Sequence, residues 1–193
     1  MIKDKITSEI KDKFRDAISR TIKTGREHAF IICRNDKEEL FPRTTCEGRE
    51  CIVTMERPES CLPSRAQGNF HTHADVTVAR RILGDTEEKF PRKMILDFIK
   101  EVSDSEGIDI TTPSNRDLVN TLVNKCMRMT EGTVCVASDA VPDRVDCYTT
   151  SSRITKDDCN RAKLSILTTN VEESGTPKPW IKPLFDIETV DLK

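Results

Sequence analysis

Apolar residues recur every four positions at the start of the chain, at Ile6, Ile10, Phe14, Ile18 and Ile22, with Ala17 widening the stripe and charged residues between. That spacing predicts an amphipathic helix, with Gly25 as its C-terminal stop. Glu27-His28-Ala29-Phe30-Ile31-Ile32-Cys33 then predicts a strand, apolar on both faces beyond its start, as in the interior of a sheet. Residues 34–39 form a polar turn. Leu40-Phe41 and residues 51–55 read as short strands, with Pro58 and Pro63 marking loops, and Gly68-Asn69-Phe70-His71-Thr72-His73 reads as another strand.

Residues 86–103 predict a second amphipathic helix. Its apolar face carries Phe90, Met94, Ile95, Phe98, Ile99 and Val102, and Pro91 sits in the first turn, where it is tolerated. Ser114 opens a third helix bearing Leu118, Val119, Leu122, Val123, Cys126 and Met127. Residues 134–137 follow as a strand, and Thr155-Lys156-Asp157-Asp158 is a capping box ahead of a short helix through Ile166. Residues 175–183 contain Pro177, Pro179 and Pro183, which predicts an extended segment lying over the surface. No internal repeat is visible.

These elements describe an α/β chain, and 193 residues are enough for one domain with a real core. Charged residues are 33% of the chain, yet the net charge is only -2, so nothing in the balance drives it toward nucleic acid or membrane. Aromatics at 5% are too few for a single-strand stacking platform. There is no apolar run of membrane-spanning length and no signal-peptide core at the N-terminus, so the expected location is cytoplasmic. The eight cysteines include a loop-like cluster, Cys46, Cys51 and Cys61, and five scattered ones, Cys33, Cys126, Cys135, Cys147 and Cys159. Without a Cys-x-x-Cys pair a zinc ribbon is disfavoured. Buried thiols come first, then disulfides of the kind hyperthermophiles keep inside the cell, centred on the cluster, then a structural metal there.

Candidate chemistry centres on two of the three histidines. On a strand, His71 and His73 share a face and can grip one ion, given a third ligand from elsewhere. Asp117 in Ser114-Asn115-Arg116-Asp117 is the candidate, although Ser-x-x-Asp before an apolar run is also a helix cap. Glu27 opens its strand as a carboxylate, while His28 falls on the opposite face and is left out of the site. Asp75 offers another set, His71/His73/Asp75, in the manner of metallo-β-lactamase-type hydrolases and amidohydrolases. Those sites need histidines further on, and none follows His73.

Taken together, Glu27 at a strand start, His71-Thr72-His73, and Ser114-x-x-Asp117 at a helix start resemble the JAMM (MPN-plus) metalloprotease domain over residues 6–137. Thr112-Pro113-Ser114 is similar to the RadC-type branch of that superfamily. The family places Pro after the second His, where this chain has Ala74, and its short His-to-Ser spacer is here residues 74–113.

The resemblance implies a single domain over residues 1–170, with a curved mixed β-sheet flanked by helices in cytidine-deaminase-like layering. Residues 74–112 would be an insertion with one amphipathic helix, and residues 171–193 an extended tail. It also implies Zn²⁺ held by His71, His73 and Asp117, with a fourth position for water, Glu27 as general base and Ser114 as donor to the oxyanion. The activity implied is peptidase or isopeptidase, on a protein or peptide substrate such as a ubiquitin-like modifier conjugate. A non-catalytic scaffold of the same fold is the alternative.

Overall fold

Six strands form one mixed sheet in the computed structural model, which describes residues 2–48, 66–107, 109–168 and 177–193. The strands are β1 (His28–Arg34), β2 (Leu40–Glu47), β3 (Ala66–His73), β4 (Thr133–Ser138), β5 (Val141–Thr150) and β6 (Phe185–Asp191). Their order is β2-β1-β3-β4-β5-β6; β3 and β4 run parallel and every other pair is antiparallel. Among the described residues five α-helices accompany it: α1 (Ser8–Thr24), α2 (Asp75–Ile82), α3 (Arg92–Glu106), α4 (Asn115–Cys126) and α5 (Lys156–Thr168). The α/β class expected from the sequence is what is observed, and no helix is long and apolar enough to cross a membrane among the described residues.

α1 covers one face of the sheet. It starts at the Thr7 cap, whose hydroxyl accepts from the Ile10 amide, and stops at Gly25 in the left-handed region (φ 65°). Ile10, Phe14, Ala17 and Ile18 are buried, but Ile22 is 44% exposed. The reason is geometric: four-residue steps advance about 400° on a 3.6-residue helix, so the stripe drifts about 40° per step. Thr21 takes the vacated place, and its hydroxyl lies 2.6 Å from that of Thr72, between the two site histidines. Phe14, Phe30 and Phe70 form the centre of this layer, with ring centroids 4.6–5.6 Å apart.

The other face carries α4 and α5. Leu118, Leu122, Val134, Val136, Tyr148 and Ala162 pack there, closed off by Ile181 and Phe185 from the C-terminal segment. The expected tail is thus partly sheet: after a 3-10 turn at Lys182–Leu184, β6 pairs with β5 along its length. Residues 51–55, Pro58 and Pro63 lie outside the described residues.

The excursion between His73 and Ser114 holds two helices where the sequence suggested one. α2 follows β3 directly, and α3 begins only after Pro91, because Asp85 takes the backbone amides of Lys89 and Phe90. α3 therefore presents Ile95 and Ile99, with Phe98 packed beside them, to Val76 and Ala79 of α2, while Phe90, Met94 and Val102 of the expected apolar face are exposed.

The scattered cysteines are oxidised, not free. Cys135–Cys147 bridges directly paired residues of β4 and β5 (Cα–Cα 4.0 Å) on the α1 side, and Cys126–Cys159 ties the end of α4 to α5 (Cα–Cα 5.9 Å). Cys33 is disulfide-bonded as well. With sequence separations of 33 and 12, chain-entropy reasoning gives the two bridges about 3–4 kcal/mol each. The cluster to which the sequence pointed falls outside the description, Cys51 and Cys61 as residues and Cys46 at its side chain.

Gly68 is where β3 and β4 come closest, since a Cβ there would overlap the Thr133 carbonyl. Backbone cannot step aside as a side-chain tip can. Gly68→Ala should therefore push the two central strands apart and lower the unfolding free energy by about 3 kcal/mol or more, as overpacking does. Denaturant titration checks this, and a loss within about 0.5 kcal/mol would show that the strands have room.

Candidate metal centre

Strand alternation sorts the residues around the histidine pair. Phe70 and Thr72 face α1, so His71 and His73 project from the opposite face, the one that carries α4. Ala29 pairs with His71 across β1 and β3, which puts Glu27, two residues earlier, on the same face beside the end of β3. From the other side comes the N-terminus of α4. Ser114 caps it in a reciprocal box: the Asp117 amide donates to Ser114 Oγ at 3.2 Å, and Asp117 Oδ2 accepts from the Ser114 amide at 2.9 Å. Cap and site are thus the same residues, because this box turns Asp117 toward the sheet, where His71 Nε2 stands 3.5 Å from Asp117 Oδ2.

His71, His73 and Asp117 each offer one ligand atom, and these atoms lie within 4.8 Å of one another. Among the described residues no other group of three or more His, Cys, Asp or Glu does so. Metal–ligand bonds near 2.1 Å in a tetrahedral site imply ligand–ligand edges of about 3.4 Å. The His71–Asp117 separation of 3.5 Å is already such an edge, and two imidazoles with one carboxylate are a donor set that suits zinc. His73 is prepared for the role by its other nitrogen. Its Nδ1 lies 3.2 Å from the Ile110 carbonyl, which can only accept, so Nδ1 carries the proton and Nε2 keeps its lone pair.

Asp75 is engaged elsewhere. As the first residue of α2 it accepts from Ser138 Oγ at 2.5 Å, and it is not among the three grouped residues. The Ser114 hydroxyl donates to Asp117 Oδ2 at 2.7 Å. Asn69, two residues before His71 on the same face, has a buried Oδ1 without a hydrogen-bond partner, an acceptor open to water or to an N–H donor. Sequence reasoning missed Asn69, and it missed Ile110 because a backbone carbonyl leaves no trace in residue type.

The charges are set by burial and by one another. Burial would raise Asp117, but the neighbouring His71, its hydrogen bond, Ser114 and His73 outweigh it and hold the carboxyl well below its usual range. Burial pulls His71 down, yet the charge and hydrogen bond of Asp117, with Glu27, leave it raised. His73 is lowered, chiefly by burial and then by His71. Glu27, 7% exposed, is pushed by burial up to about 8, with His71 opposing and Asp117 and Asp75 adding to the rise.

That last shift has a measurable sign. A carboxyl that binds its proton more tightly folded than unfolded gives stability that is complete below about pH 4.5 and disappears as pH rises through about 8. Glu27→Gln cannot lose that proton. With chelator present, the variant should gain a few kcal/mol on the parent between about pH 5 and about pH 9, measured by denaturant titration. Parallel pH profiles would show that Glu27 is not held in this environment.

Against models of known protein families and against the curated proteins the chain finds no match.

Proposed function

We propose that this chain is a zinc-dependent peptidase or isopeptidase of the JAMM (MPN-plus) type, its sheet and helices forming that family's layered fold. The observation that carries the reading is the convergence of His71 and His73 from β3 with Asp117 from the start of α4, beside a buried Glu27. Between His73 and Asp117 the chain makes an excursion of two helices and returns to the same point.

His71, His73 and Asp117 would hold the ion. Zinc bound there supplies Lewis acidity and makes hydroxide available near neutral pH. Glu27 would take up the proton of the attacking water and hand it to the leaving amine, a role its buried position near His71 and Asp117 suits. Ser114 Oγ donates to the developing oxyanion, leaving Asp117 held by the Ser114 amide. Substrates are proteins or peptides, with ubiquitin-like modifier conjugates as the class to try first. A cytoplasmic setting with these disulfides would require a source of the hyperthermophilic kind, which keeps such bridges inside the cell.

Metal analysis of protein purified without chelator should find about one zinc per chain, and amide hydrolysis should stop on chelation and return with zinc. A chain that retains no zinc after loading and dialysis would instead be a non-catalytic module of this fold.

A further inference from the structure

We propose that Asp146, a buried carboxylate on β5 two strands away from His71, is a positioning residue that sets the orientation of His73 and the entry of α4. The inference rests on the metal-centre reading.

Asp146 is 1% exposed and lies on the same face and in the same row of the sheet as His71: His71 pairs with Val136, and Val136 with Asp146. Strand spacing puts the two about 10 Å apart, too far for direct contact. The gap is bridged by residues 109–112, the last of the excursion. The Thr111 hydroxyl, itself fully buried, donates to Asp146 Oδ2 at 2.5 Å. Arg144 donates to both oxygens of Asp146, at 3.1 and 2.5 Å, and to Asp109 Oδ2 at 2.7 Å, clamping the start of the loop to the strand. Thr189 from β6 completes the carboxylate, donating to Oδ1 at 2.6 Å.

Between the two clamped residues stands Ile110, whose carbonyl accepts from His73 Nδ1. Two residues beyond Thr112 comes Ser114, the cap that aims Asp117. One pinned loop therefore serves two of the three candidate ligands. A buried ion pair gives little net stability over apolar packing. A fully bonded network of this kind fixes geometry, and here the geometry fixed is that of the loop.

The test is Thr111→Val, which keeps shape and removes the donor, with Thr111→Ser to restore it. Nitrogen-15 NMR of the metal-free full-length protein, at about pH 8, reads the His73 tautomer, and Co²⁺ titration reads affinity. The parent should show the Nδ1–H form alone. Thr111→Val should mix in the Nε2–H form and bind Co²⁺ about 10–100-fold more weakly, the usual cost of losing a group that orients a ligand, and Thr111→Ser should recover both. Should Thr111→Val not fold, Arg144→Gln removes the tie to Asp109 from the more exposed side and should move both readouts in the same direction. Parent values in the folded variants, or a changed tautomer at unchanged affinity, would overturn the role. If the parent itself binds no Co²⁺ the metal reading falls, and the tautomer alone then decides whether the loop sets His73.

Discussion

Replacing Asp117 with alanine should abolish tight zinc binding, and replacing Asp75 should not. Asp117 is one of three groups converging on the site, and its carboxyl is held ionised by His71 and Ser114. Changing a group that merely orients a ligand already costs about 10–100-fold in affinity. Removing the ligand itself should cost more than about a hundredfold. Asp75 spends its Oδ2 on Ser138 at the start of α2, so Asp75→Ala should disturb the entry to the excursion and leave affinity within about threefold, as Asp75 orients none of the ligands. Asp117→Ala also opens the capping box, worth about 1 kcal/mol. Asp117→Asn separates the two effects, because its amide oxygen still accepts from Ser114 while the charge is gone. Competitive chelator titration of the three variants decides the matter. Zinc lost with Asp75 and kept with Asp117 would replace this site with His71/His73/Asp75.

The second large effect is on rate. Glu27→Gln keeps the shape of the side chain and one hydrogen bond but cannot take up a proton. Zinc content should be unchanged, while amide hydrolysis should fall by about two to four orders of magnitude, the usual contribution of a general base. A variant that loses zinc along with activity would make Glu27 a ligand. One that keeps full activity would free it from the reaction.

What the sequence made legible is what local chemistry specifies. The Ser114/Asp117 box and the Thr155/Asp158 box both form, because each needs only residues three apart. α1 could be read from its stripe, and β1 from its unbroken apolar run.

The missed elements depend on distant partners. α2 carries the β-branched Val76-Thr77-Val78 in its first turn and has no side-chain cap from its N-cap residue Ala74. Its Val76 amide is instead taken by Asp139, 63 residues on. β5 buries Asp146 between Val145 and Cys147 in a run of consecutive buried residues, which hides its alternation, and only the fold brings Arg144, Thr111 and Thr189 to that carboxylate. β6 carries Asp186, Glu188 and Asp191 at the sheet edge, where strands tolerate charge that would exclude them from the middle. Cysteine spacing was silent because Cys135 and Cys147 meet through strand register and Cys126 and Cys159 through helix packing.

Zinc-edge X-ray absorption on the protein loaded with one equivalent of zinc tests the central claim most directly. Ligation by His71, His73 and Asp117 predicts a first shell of nitrogen and oxygen at about 2.0–2.2 Å, with imidazole scattering and no sulfur. Sulfur at about 2.3 Å would place the metal on cysteines and contradict the account.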